Sequence, residues 1–208
     1  PAPEVGSDNK NGIVYQVRSY DISTMSLIRG KEGWIVIDPL TSVFSAKLAW
    51  ENFKKYVDPQ AKISAVLITH SHVDHYMGFV GIVDPKDILY VSQENYSDKM
   101  LNKGKVLVVA PNGFYEEAIS ENLYLGNSME RRASYMYGIY LPKDEYGQVG
   151  AGLGKSVGLS TGHLFQPSFE LKPGKDKTAK LTIDGLSFTF LDVPGTEAPA
   201  EFHIFLND

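Results

Sequence analysis

Three of the five histidines in this 208-residue chain fall within six positions, in Thr69-His70-Ser71-His72-Val73-Asp74-His75. Imidazole and carboxylate are ligands for zinc and similar borderline metals. The apolar run Ala65-Val66-Leu67-Ile68 comes directly before them, so these groups stand at the end of an expected strand. Residues two apart in extended backbone point the same way, and His70 and His72 can reach one ion together. Asp74 and His75 lie beyond the strand end, where the chain can bend and offer them to a second ion. Two metals about 3.5–4 Å apart acidify a water held between them and polarise a substrate oxygen. A carboxylate at Asp74 can also orient the attacking group. The competing reading is three surface histidines in a turn. Isolated histidines are common there, but three in this pattern, with an acid and a preceding apolar strand, are not.

Other residues carry weaker signals. His163 and His203 are lone histidines. His203 falls in an expected strand and reads as a core or surface residue; His163, in a loop, is an unsupported general acid. Glu197 and Glu201 flank Pro199, and the turn opened by Pro194-Gly195 can present a carboxylate as a ligand. Surface glutamates are the default there. Gly150-Ala151-Gly152-Leu153-Gly154-Lys155-Ser156 superficially looks like a phosphate loop, but its glycines are out of register with G-x-x-x-x-G-K-[ST].

These groups need a scaffold. Strand patterns cover Ile13 to Val17, Met25 to Ile28 and Trp34 to Asp38, the last two joined by a turn from Arg29 to Gly33 as a hairpin. Asp38-Pro39 ends the third strand. Phe44, Leu48, Phe53 and Val57 recur at helical spacing, predicting a helix from Ser42 to Tyr56 that Pro59 closes. Strand 64–69 then delivers the histidines, and a short helix containing Phe79, Val80 and Ile82 begins near His75. Val106 to Ala110 reads as a strand. Gly113 to Leu125 reads as a helix burying Phe114, Ala118, Ile119 and Leu123. Residues 135–160 read as a long irregular loop. Leu181–Ile183 and Ser187–Leu191 form a hairpin through Asp184-Gly185, and Phe202–Leu206 a last strand. Strand, helix, strand with ligands at the strand's C-terminal end is an α/β arrangement.

The formal charge of −5 argues against a nucleic-acid partner, which needs a basic face. Lys99, Lys103, Lys105, Arg131 and Arg132 are interspersed with acids and read as solvated surface, with the Arg131-Arg132 pair set apart. There is no cysteine, which excludes disulfides and zinc–thiolate sites. No apolar run reaches the length of a membrane span. The chain opens Pro1-Ala2-Pro3 without a Met and stops two residues after an expected core strand, as a piece of a longer protein would.

The metal motif after an apolar strand is the signature of the metallo-β-lactamase superfamily. Further stretches resemble the N-terminal catalytic domain of the alkylsulfatases. They are Asp38 to Ser42, Thr69 to Gly78, Ser120-Glu121-Asn122, Arg131 to Gly138, Gly150 to Gly154, and Pro194 to Glu201. The arginine–tyrosine stretch and Thr-Glu-Ala-Pro-Ala-Glu are far more specific than the histidine motif. The resemblance implies an αββα sandwich of the metallo-β-lactamase type, with residues 1–208 forming one domain whose C-terminal part is missing. It implies two zinc ions, the first on His70 and His72, the second on Asp74 and His75. Glu197 falls where the family has a carboxylate ligand, and Glu201 is the second choice. Arg131, Tyr135 and Tyr137 would shape the substrate pocket or serve structure. The segment between Asp84 and Val106 is longer than the family pattern and is expected to be a surface loop.

The resemblance also implies what lies beyond this chain: a bridging carboxylate, a further His ligand, a sulfate-binding Arg, a helical dimerisation domain and a sterol-carrier-like domain. The whole protein is thus expected to be a zinc-dependent hydrolase of alkyl sulfate esters, homodimeric, and periplasmic or secreted. The fragment alone is expected to bind metal weakly. Two alternatives stay open. One is a hydrolase of the same fold acting on another ester, lactone or phosphodiester; the other is a non-catalytic fragment with an incomplete metal site.

Overall fold

The computed structural model describes residues 14–151, 154 and 163–207. The strands β1 (Val14–Val17), β2 (Met25–Arg29) and β3 (Trp34–Ile37) form an antiparallel meander. Helix α1 (Val43–Tyr56) crosses over to β4 (Ile63–Leu67), which lies parallel to β3. Strands β5 (Leu107–Pro111) and β6 (Phe169–Leu171) extend the parallel part, giving a six-stranded sheet in the order β1 to β6. Strands β7 (Thr178–Ile183), β8 (Leu186–Asp192) and β9 (Phe202–Leu206) form a separate antiparallel sheet.

Alternation along the large sheet divides the core in two. Leu27, Val36, Val66, Ile68 and Val108 face the helices, packing with Ala46, Ala49, Trp50, Phe53 and Phe114. Ile28, Ile35, Ala65, Leu67 and Val109 point the other way, onto Ile183, Leu186, Phe188, Phe190 and Phe202 of the small sheet. A strand buried on both faces reads as a continuous apolar run, which is why Ala65 to Ile68 stood out. The layers are therefore helix, sheet, sheet, three of the four expected of an αββα sandwich.

Several elements depart from the sequence pattern. Helix α1 spans the expected residues and is capped by Ser42, whose side chain accepts from the Ser45 amide at 3.0 Å. Its buried face is different: Ser45, Ala46, Ala49, Trp50 and Phe53. Phe44 is 69% exposed and Leu48 39%. The cause is the segment after the histidines. A Cβ on Gly78 would lie 2.2 Å from the Pro39 carbonyl oxygen and 2.8 Å from Ala46 Cβ. One on Gly81 would lie 2.3 Å from the Val43 carbonyl oxygen. Backbone approaches α1 so closely that only its small-residue face fits.

The helix expected over 113–125 breaks. Helix α2 covers Phe114–Ile119, a π-helical turn follows at Ser120–Tyr124, and α3 runs from Gly126 to Tyr137. The π turn shifts the phase, so Leu123 is 70% exposed. Helix α3 has no buried residue. Its last turn occupies residues expected to begin an irregular loop, and Gly138 ends it at φ 58°.

The segment between Asp84 and Val106 is anchored rather than merely superficial. Ile88 and Leu101 are buried. The Gln93 side chain pairs with both backbone groups of Lys172, and Asp98 accepts from the amides of Asp184 and Gly185 at the β7–β8 turn. It clamps the two sheets together. Most of the glycine-rich stretch 150–158 lies outside the described residues, as does Ile13.

Candidate metal centre

The parallel strands β3 and β4 end side by side, Ile37 opposite Leu67. Asp38 leaves β3 with φ 56°, and Leu40 follows at φ 66°. Such backbone costs about 1–3 kcal/mol per residue and persists only where its surroundings hold it. Here the Asp38 carboxylate is the holder. It accepts from the Thr69 amide at 2.8 Å and the Thr69 hydroxyl at 2.7 Å, and sits 2.7 Å from His75 Nδ1.

These contacts fix a tautomer. The Thr69 hydroxyl has one proton and gives it to Asp38, so at 2.8 Å it must accept from His70 Nδ1. That leaves a lone pair on His70 Nε2. This atom is buried and has no hydrogen-bond partner, a costly arrangement in a native protein unless something occupies the lone pair. Burial, and then the nearby His75 charge, push the His70 imidazole down and favour its neutral form.

The bare nitrogen faces Glu197 Oε1 at 3.8 Å, and His72 Nδ1 lies 3.9 Å from the same oxygen. Ligand atoms of His70, His72 and Glu197 all lie within 4.8 Å of one another. Two imidazoles and a carboxylate at this spacing fit a divalent cation with an N/O preference. Glu197 is brought in by the turn between β8 and β9. The Ser71 amide donates to the Ala200 carbonyl at 3.1 Å and the Phe202 amide to the Thr69 carbonyl at 3.0 Å, docking that turn on the histidine loop. Glu201 has a structural post inside it: its Oε2 accepts from the amides of Glu197 and Ala198 at 2.7 and 3.1 Å. Burial alone would raise its pKa, but these bonds and the Thr196 hydroxyl lower it.

Asp74 and His75 sit beside this cluster, in a 3-10 turn that begins at Val73. His75 Nε2 is 3.2 Å from Asp74 Oδ2, and its ring centroid is 4.0 Å from that of His70. Burial disfavours the charged ring, but hydrogen bonds to Asp38 and Asp74 prevail and hold its pKa at about 10. Asp74 is held low by the same contact despite its burial. The Ser23 hydroxyl donates to the Asp74 carbonyl. A cation taken up by His75 Nε2 would have to displace a proton, with Asp38 already orienting the ring through Nδ1.

A cleft of about 380 Å³ opens next to the cluster, lined by His72, Asp74 and Glu121 and by Ile22, Val73, Met129, Ala133, Tyr137 and Ile139. Of the three expected pocket residues it includes only Tyr137. Arg131 and Tyr135 line a different recess on α3, and Tyr135 is 92% exposed. His203 lies on the rim of another cavity with His70 and Glu197, 3.6 Å from Glu201. His163 is exposed. Sequence reasoning missed that Asp38, Thr69 and Glu121 pack against the histidine motif. Asp38 left one trace, an acid after an apolar strand at the sheet edge where the motif strand also ends.

Known proteins resemble this chain in sequence and fold. Residues 19–174 match the model of the metallo-beta-lactamase superfamily. The chain is 42% identical over 195 residues to a linear primary-alkylsulfatase from Pseudomonas sp, covering 94% of this chain and 26% of the relative. An alkyl/aryl-sulfatase of Saccharomyces cerevisiae is 37% identical, with 93% and 27% covered. The solved structure of Pisa1, a stereoselective inverting sec-alkylsulfatase from Pseudomonas sp., superposes with a TM-score of 0.80 at 33% identity, over 96% of this chain and 29% of that one. The chain thus spans between a quarter and a third of the length of these relatives. With the fold, the histidine motif and the family match in agreement, the chain belongs to the metallo-beta-lactamase superfamily.

Proposed function

We propose that this chain is part of a zinc-dependent hydrolase of alkyl sulfate esters and carries the first half of its metal centre. His70 through Nε2, His72 through Nδ1 and Glu197 hold one ion. Asp74 and His75 contribute to a second. Zinc, when bound, supplies a Lewis acid that polarises the ester and makes water more acidic. The chain's own residues do the rest. Asp38 and Thr69 fix the ring orientations, Asp74 orients the attacking group, and the apolar walls at Ile22, Val73, Met129 and Ile139 receive an alkyl chain beside the cluster.

The observation that carries this reading is the buried, partnerless Nε2 of His70 facing Glu197 and His72. Support for the substrate class comes from relatives named as alkylsulfatases at 34–42% identity over nearly the whole chain. The test uses the full-length protein and measures inorganic sulfate released from dodecyl sulfate. His70→Ala and Asp74→Ala are expected to abolish release while the protein stays folded. Sustained turnover by either variant would refute the site. Turnover of a lactone or phosphodiester with none of any alkyl sulfate would refute the substrate class.

A further inference from the structure

His72 has two ring nitrogens with different neighbours. Nδ1 faces Glu197, and Nε2 faces Glu121 Oε1 at 3.7 Å. A ring that gives one nitrogen to a cation carries its proton on the other, and that proton needs an acceptor. For His70 the acceptor is the Thr69 hydroxyl. For His72 the only acidic side chain facing Nε2 among the described residues is Glu121.

We propose that Glu121 is the positioning residue for His72: its carboxylate accepts the Nε2 proton and so presents Nδ1 to the first cation. Two observations support this. Glu121 Oε2 is buried with no hydrogen-bond partner, so the carboxylate has acceptor capacity to spare in a setting where an unmet polar atom is expensive. The π turn at Ser120–Tyr124 is held by Asn122, whose amide donates to the Ala118 carbonyl and the Tyr76 hydroxyl, both at 2.9 Å. Glu121 lies on that turn, with its side chain part-buried against His72. The Glu121–His72 gap exceeds the about 3 Å of a hydrogen bond, and such contacts tighten when the partner nitrogen is engaged. Glu121 is not a member of the ligand cluster itself. Arg132 and Asp74 also act on its charge, without reaching His72 Nε2.

The inference rests on the metal reading above, so its test separates the two. Full-length wild type, Glu121→Ala, Glu121→Gln and His72→Ala are freed of metal and titrated with cobalt(II) against a chromophoric chelator. The visible spectrum and the metal-free melting temperature of each are recorded. Glu121→Ala is expected to bind the first cobalt about 10–100-fold more weakly than wild type. Gln retains an acceptor oxygen, so Glu121→Gln should recover most of the loss, with one cobalt spectrum throughout. Wild-type affinity in Glu121→Ala overturns the positioning role while leaving the metal site standing. A Gln variant as weak as Ala with an altered cobalt spectrum makes Glu121 a direct ligand and overturns it too. Failure of the wild type to bind any cobalt removes the metal reading and this inference with it. If Glu121→Ala does not fold, Glu121→Met, which keeps the bulk and removes the acceptor, takes its place under the same criteria.

Discussion

Asp38 is the residue on which the centre turns. One carboxylate anchors a strained strand end, sets the His70 tautomer through Thr69 and orients His75. Removing one partner of a buried charged pair typically costs about 3–5 kcal/mol, so Asp38→Asn should destabilise the metal-free protein by that order in denaturant titrations. It should also weaken metal binding about 10–100-fold. Unchanged midpoints would mean that Asp38 is dispensable. The same pair gives a pH dependence. The folded pKa of His75, about 10, lies above its ordinary 6.5. Its contribution is therefore fully present below about pH 6.5 and is lost as pH rises toward 10. Asp74, held below its ordinary 3.8, contributes above that value and loses its share in stronger acid. The denaturation midpoint of metal-free protein should fall between pH 6 and 10, and Asp38→Asn should flatten that fall. A midpoint that rises over the range contradicts the assignment. The His70, His72, Asp74, His75 set was legible because its members are close in sequence. Asp38 and Glu121 come from other elements and act across space, so one sequence alone could not attach them to the motif.

At the scale of elements, strands were easier to read than helix faces. Buried strands announce themselves as apolar runs, and β2, β3, β4 and β5 fall within a residue or two of expectation. Helix α1 was legible as a helix but not in its orientation. The periodic apolar residues Phe44 and Leu48 gave way to Ala46 and Ala49, because Gly78 and Gly81 bring backbone against the helix. Phe53→Ala should thus cost about 3–5 kcal/mol. Phe44→Ala should stay within about 0.5 kcal/mol of wild type. Chemical denaturation of both variants checks this, and a large loss at Phe44 would show that its exposed face is covered in the intact protein. The π turn was not legible, since a one-residue phase slip has no compositional signature. Glu121, 3.7 Å from His72 Nε2, lies on it.

Across the whole molecule, two sheets packed face to face set the edge where β3 and β4 end opposite the β8–β9 turn. That edge is where parallel sheets place ligand sites. The candidate ligands arrive from both sheets: histidines from the large one, Glu197 from the turn leading into β9. The segment 85–106 and the Asp98 contacts hold the sheets in register, fixing the distance between the two ligand sources. The histidine motif made the candidate centre findable from sequence; the contribution of the second sheet came from the resemblance of the Thr196 to Glu201 stretch and not from periodicity. The most direct test of the central claim is an anomalous-scattering map of crystals of the full-length protein grown with zinc. A peak is expected about 2.0–2.2 Å from His70 Nε2, His72 Nδ1 and a Glu197 oxygen. Zinc bound elsewhere, or no peak while these three side chains stay splayed apart, would contradict it.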